Sequence, residues 1–235
     1  MLMSQVAIVV ALVGMGLGWR GVMTKYSGFY DLNTAWSMMF WGILIGGFYG
    51  MLGQKFLLEP FMTDGQTSIS NLIICLFLAI IAHFMLRREK VRRTGSQPTT
   101  GWALGLAVGG MVSMMIIYRV IEVNDFSIPV VSTIVLIALI SPRSHALVFC
   151  RHGYEMLQGK RWKAVVKTFI LLVLLLTTLY STIIQPLAWI FLIPPVILAE
   201  KQAHDWVYAA VPQQARRRLR RIWKDAANAK SSEEE

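Results

Sequence analysis

No aspartate or glutamate falls inside any of the long apolar stretches of this sequence, and charged residues make up only 15% of its 235 positions. An ordinary soluble domain carries roughly a quarter. A chain so poor in charge, 55% hydrophobic and with a mean hydropathy of +0.54, requires a bilayer. The apolar stretches are about 16 to 22 residues long and are separated by short polar segments, which leaves no room for a separate soluble catalytic domain. The missing intramembrane carboxylates also argue against a proton- or sodium-coupled transporter, because such groups are the usual markers of ion sites and proton relays. Glu200, at a segment end, is expected to face the headgroups, and Lys167, near a cytoplasmic end, to reach toward them.

Cysteine and histidine are scarce as well. The two cysteines, Cys75 and Cys150, are far apart in sequence and form no C-x-x-C motif. They make neither a disulfide framework nor a metal site and are expected to be packing residues. Among four histidines, His145 and His152 are separated by six residues instead of the three of a helical H-x-x-x-H pair, and no carboxylate cluster accompanies them; neither a metal nor another cofactor is expected. The segment Ser141-Pro142-Arg143-Ser144-His145 resembles in part the Ser and His pieces of membrane lipid phosphatases, without their further basic and acidic elements. Intramembrane serine-protease and paired-aspartate patterns are absent, so no catalytic residue is assigned. The start, Met1-Leu2-Met3-Ser4-Gln5, has no basic residue before the first apolar block and no small-residue cleavage pattern, so that block is expected to be retained.

What is present is a series of apolar blocks at 5–19, 34–53, 69–86, 101–121 and 126–142, followed by a tract from 164 to 199 whose only charged residue is Lys167. As one straight helix those 36 residues would extend about 54 Å, against a hydrocarbon core of about 30 Å. Gln185-Pro186 near the middle of the tract favours a break, since proline lacks an amide donor and restricts the residue before it. The expected architecture is therefore an all-α, polytopic transmembrane helix bundle over residues 1–200. It has about seven segments, six full and a short seventh over 187–199 broken by Pro194-Pro195.

Loop charge orients the bundle. Arg87, Arg88, Lys90, Arg92 and Arg93 form one basic cluster, and Arg143, Arg151, Lys160, Arg161, Lys163 and Lys167 form another. The positive-inside bias places both in the cytoplasm and alternates consistently to an N-out, C-in topology. With a net charge of +10, the expected contacts are the bilayer and its anionic headgroups; nucleic acid is not expected, for want of a base-reading element. Residues 144–162 mix apolar and basic side chains as an interfacial helix would, or as a docking loop for a cytoplasmic partner. Residues 201–235 read as a basic amphipathic cytoplasmic tail carrying Arg216, Arg217, Arg218, Arg220 and Arg221, with a disordered acidic end. Six tryptophans, among them Trp102, are placed mostly near membrane boundaries.

Two glycine ladders complete the inventory: Gly42, Gly46 and Gly50 in the second block, and Gly101, Gly105 and Gly109 in the fourth. Glycines four apart share one helix face and allow another backbone to approach closely. They serve either helix packing within one chain or contact with other membrane subunits or a second copy. The function these features suggest is a non-enzymatic membrane subunit of a larger assembly of secretion, DNA-transfer or respiratory type, in a bacterial or archaeal plasma membrane. The alternatives are a small transporter or channel using the break at Gln185 and Pro186, and an enzyme at the cytoplasmic interface using His145 or His152.

Overall fold

The computed structural model of the chain describes residues 2–64 and 69–233, and the described secondary structure is helical throughout. The helices are α1 (Leu2–Lys25), α2 (Leu32–Gly53), α3 (Glu59–Asp64), α4 (Ile69–Leu86), α5 (Glu89–Arg93), α6 (Gln97–Val123), α7 (Ile128–Leu157), α8 (Arg161–Ile184), α9 (Trp189–Ala210) and α10 (Gln213–Glu233). Six of them, α1, α2, α4, α6, α7 and α8, are long and apolar enough to cross a membrane. The architecture is that of a polytopic helical membrane protein.

Three connections meet at one end of the bundle, called here the basic end because it carries Arg87–Arg93 and Lys160–Lys167. The turns leading into α2, α6 and α8 each contain a glycine with positive φ: Gly28 at 80°, Gly95 at 63° and Gly159 at 79°. Only glycine enters that region without a steric penalty. At Gly159 the amide of Lys160 donates back to the Glu155 carbonyl at 2.9 Å, closing the last turn of α7 in a Schellman arrangement. At the start of α2, Asp31 accepts from the Thr34 amide at 3.0 Å, an N-cap that satisfies one of the helix's orphan donors.

The core is organised around α6. Its residues 97–110 are buried without exception, because three helices close on three of its sides. On the α7 side, side chains at Gly101 and Gly105 would collide with the Phe149 and His145 carbonyls, and a methyl at Gly109 would stand 2.5 Å from the Ser141 carbonyl oxygen. Gly153 of α7 returns the contact against the Gln97 carbonyl. On the α2 side, methyl groups at Gly42 and Gly46 would lie 2.7 Å from the Leu104 carbonyl oxygen and from the Val108 Cα, and one at Gly50 would lie 3.0 Å from Met115 Cγ. On the α1 side, Gly18 meets Leu106 and Gly110 meets Met15. Both ladders are thus covered within the chain. Helices so close gain dispersion contacts and Cα–H···O bonds along their length, which is how helices associate where water supplies no hydrophobic drive.

α7 departs from the expected division at residue 142. The helix runs through Pro142 to Leu157 as one element of 30 residues, so residues 144–157 are no separate interfacial helix. They are the basic-end half of α7, and most of their side chains are buried. Proline deprives the Ala138 carbonyl of its helical donor. The backbone of Gly14 in α1 closes on that same carbonyl, leaving no room for a side chain there, and Ser141 Oγ donates to the Gly109 carbonyl at 2.9 Å. Neighbouring helices thereby accommodate the proline, as membrane-embedded bundles commonly do.

The final tract breaks where expected: Gln185 is extended, and a short 3-10 turn over Pro186–Ala188 leads into α9. The second arm is longer than the expected 187–199. α9 runs for 22 residues through Pro194 and Pro195 and, carrying Glu200, Lys201 and Asp205, is not one of the six strongly apolar helices. α10 continues to Glu233; of the acidic end, Glu234 and Glu235 lie outside the described residues. Trp102, expected among the boundary tryptophans, is fully buried between helices.

Gly105→Ala should destabilise the bundle by about 2 kcal/mol or more through overpacking. Gly16→Ala, where nothing lies within 4 Å of the added methyl, should be neutral or stabilising by a few tenths of a kcal/mol. Thermal unfolding of the two variants in detergent checks the pair; equal midpoints would contradict the close α6–α7 approach.

Candidate functional site

Most of the ionisable groups drawn into the interior lie toward the basic end, and they come from three helices. His83, in the last turn of α4, has its Nδ1 3.2 Å from Nε2 of His152 in α7. Nδ1 of His152 lies in turn 2.8 Å from Thr168 Oγ1 in α8. A neutral imidazole has one donor and one acceptor nitrogen, so the chain of bonds runs in one of two senses. Either Thr168 donates to His152 and His152 to His83, or His83 donates to His152 and His152 to Thr168. Both senses tie α4 to α7 and α7 to α8.

One helical turn beyond His152, Glu155 is nearly buried and accepts from Lys167 Nζ of α8 at 2.7 Å, with Arg151 Nε at 3.7 Å. Lys167, expected to reach toward headgroups, is instead turned inward onto this carboxylate. Partners on adjacent helices are needed here, because an unpaired buried charge costs several kcal/mol.

A second ion pair joins α7 to α9: Arg143 Nε lies 3.5 Å from Glu200 Oε1, beside Gly21 of α1, where a methyl would meet both side chains within 3.3 Å. Glu200 was expected to face headgroups at a segment end; it sits midway along α9 and holds that helix to the bundle. Farther along α9, the Tyr26 hydroxyl donates to the His204 carbonyl at 2.9 Å. Burial, reinforced by Asp205, pushes the Tyr26 hydroxyl up to about 12, so it remains a donor at all ordinary pH. At the turn before α2, burial alone would raise the Asp31 carboxyl. The hydrogen bonds from Thr34 and the charge of Lys90 outweigh it and hold the group below its ordinary value.

The predicted surface arginines fall into two sets. Arg87, Arg88, Arg92 and Arg93 are all exposed around the α4–α6 connection, with Arg88 over the Trp41 ring at 4.9 Å and Arg93 paired to Glu89 at 2.6 Å. In the tail, Arg216 donates to the Val211 and Ala209 carbonyls at 2.9 and 3.0 Å, capping α9. Arg217, Arg218, Arg220 and Arg221 are exposed, while Leu219 is buried and Trp223 packs on Tyr26 and Tyr208. The tail is therefore docked on the bundle along one face and cationic on the other. Gln185 is exposed and lies with Pro186 at the α8–α9 connection, an end of the bundle.

His145 stands apart from His152. It is fully buried against α6, with Nδ1 2.8 Å from the Ser141 carbonyl oxygen of its own helix. Among the described residues no three His, Cys, Asp or Glu side chains group as a metal site. His152 and Thr168 are 1% and 2% exposed, so a substrate has no direct approach to them, and what the arrangement does is fasten helices together. The chain matches no protein-family model, no curated protein and no solved structure.

The pairs His83–His152, Glu155–Lys167 and Arg143–Glu200 went unanticipated in the sequence. Their one sequence signal is level: alternating crossings put the end of α4, the end of α7 and the start of α8 at the same depth.

Lys167→Met should lower stability by about 2 kcal/mol, less than the roughly 3–5 kcal/mol of a fully buried pair because Lys167 is a third exposed. Adding Glu155→Met should recover most of the loss, since the stranded carboxylate is then removed as well; a double-mutant cycle by thermal unfolding reads this out.

For Asp31, the depressed folded-state value means that its contribution is present above its unfolded value of about 3.9 and is lost as pH falls through the lower folded value. Asp31→Ala should cost about 1 kcal/mol at pH 7 and flatten the stability profile below pH 4; an unchanged acid limb would contradict the assignment.

Proposed function

We propose that the protein is a non-enzymatic integral membrane subunit that joins other membrane proteins in a larger assembly, in a bacterial or archaeal plasma membrane. In this arrangement the basic end faces the cytoplasm, the N-terminus lies outside, and α9 returns the chain as a seventh segment so that the arginine-rich α10 is cytoplasmic. Several interior polar groups hold helices to each other, and the close packing of α6 leaves little space for a permeation path. The glycine ladders give rigidity, and the partner contact lies elsewhere.

The observation that supports an assembly role is a groove of about 540 Å³ between α2 and α4. Leu44, Phe48, Ile73 and Phe77 present apolar surface along it and are 51–62% exposed. Asn71 and Tyr49, the polar side chains at that level, are turned to Thr177 and Cys75. With the Trp41 indole N–H as the further donor on its lining, so apolar a groove suits a transmembrane helix of another subunit, which brings mainly side-chain shape and dispersion.

The test is gentle affinity purification in mild detergent followed by mass spectrometry of what accompanies the chain. Stoichiometric membrane partners are expected with the natural sequence and should be lost when Leu44 and Ile73 are both changed to Trp, which fills the groove from positions already open to lipid. Recovery of a lone monomer from the natural sequence would overturn the proposal.

A further inference from the structure

A second groove lies between α7, α8 and α9 on a different side of the bundle, with a volume of about 500 Å³, within the range of specific small-molecule sites. Its walls are almost wholly hydrocarbon, from Leu147 of α7 and Leu174 of α8 to Phe191 and Pro195 of α9. The two hydroxyls on its lining are turned back to their own helices: Ser144 donates to the Ile140 carbonyl and Thr178 to the Leu174 carbonyl, both at 2.7 Å. Along its length the groove therefore offers nothing to a polar ligand.

Toward the basic end the character changes. Arg151 lines the groove together with Trp206, whose ring stacks on Tyr154. The Arg151 side chain is 37% exposed, and its Nε stands 3.7 Å from a Glu155 carboxylate that Lys167 holds more closely, at 2.7 Å. Arg151, Lys167 and Glu155 sum to one positive charge, and the terminal nitrogens of Arg151 have the fork geometry that suits a phosphate. From Phe191 to Trp206 the α9 wall is about 22 Å long, enough for a chain that crosses one leaflet of about 15 Å.

We propose that this groove is a binding site for one anionic phospholipid from the leaflet at the basic end, with its phosphate on Arg151 and one acyl chain along α8 and α9. Trp206 sits at the level where an indole prefers the interface. The lipid would bridge α8 and α9 along the groove that both helices line.

The experiment is native mass spectrometry of the full chain in mild detergent, titrated with phosphatidylglycerol or with phosphatidylcholine of the same acyl chains. The first phosphatidylglycerol should bind about tenfold more tightly than phosphatidylcholine, whose phosphate is the same but whose choline cation is repelled by the net positive charge of Arg151, Lys167 and Glu155. Arg151→Gln should erase that preference. Leu174→Trp, at a position 58% exposed and remote from the charged cluster, should weaken both lipids by blocking the acyl channel. Exchanging Arg217, Arg218, Arg220 and Arg221 together for Gln should leave the preference intact. Equal binding of the two lipids, an unchanged preference in Arg151→Gln, unweakened binding in Leu174→Trp, or loss of the preference in the tail variant would each overturn the assignment.

Discussion

The contact on which the rest depends is the backbone approach of α6 to α7 and α2. In water a helix is held by the apolar area it removes from solvent; between helices in hydrocarbon that term vanishes, and closeness must supply the attraction. Glycines at four-residue spacing on the α7 side of α6 and on the α6 side of α2, with Gly153 and the small Ala146 of α7, bring main chains together where any Cβ would intrude. Because α6 is covered on three sides, α1, α2 and α7 take their positions from it. α4, α8 and α9 attach to that rigid centre by other means.

Those other means are a shared apolar core and a set of polar ties. Asn71 with Thr177 and His83 with His152 and Thr168 bind α4 and α8; Glu155 with Lys167 adds a charged tie from α7 to α8, and Arg143 with Glu200 adds another from α7 to α9. Each places a donor opposite an acceptor, so few polar side chains are left facing hydrocarbon without a partner, which would be expensive. The consequence is a division of the surface: a tightly packed centre, polar fastenings among the outer helices, and two apolar grooves where those helices lean apart. The grooves differ chemically. The one between α2 and α4 carries no charged side chain on its lining and suits a helix, whereas the one beside α8 and α9 ends on a guanidinium and suits an amphiphile with an anionic head.

Several features were legible in the residues themselves. Block lengths and the absence of internal carboxylates pointed to a helical membrane bundle, and the break at Gln185-Pro186 followed from length and proline chemistry. The glycine periodicity identified α2 and α6 as close-packing helices, but periodicity carries no information on who the neighbour is; that α7 presents its own carbonyls to the second ladder depends on the register of two antiparallel helices. Pro142 read as the end of a segment because proline removes a helical donor, yet α7 continues through it, with Gly14 of α1 packed on the freed Ala138 carbonyl and Ser141 bonded across to Gly109 of α6. Glu200 and Lys167 read as residues bound for the headgroups, a fair inference for single charges and a wrong one once each has a counter-ion on the next helix.

Composition and local pattern, taken alone, determined the helical class, the apolar segments, the basic end and the glycine faces, because each depends on residues near one another in the chain. The tertiary structure decided which faces meet, that α9 extends to Ala210 instead of stopping near residue 199, and that His83 and His152, 69 positions apart, share a hydrogen bond. Such pairings depend on the rotation and depth of whole helices, and these are set by backbone contacts summed over many turns that no short stretch of sequence records.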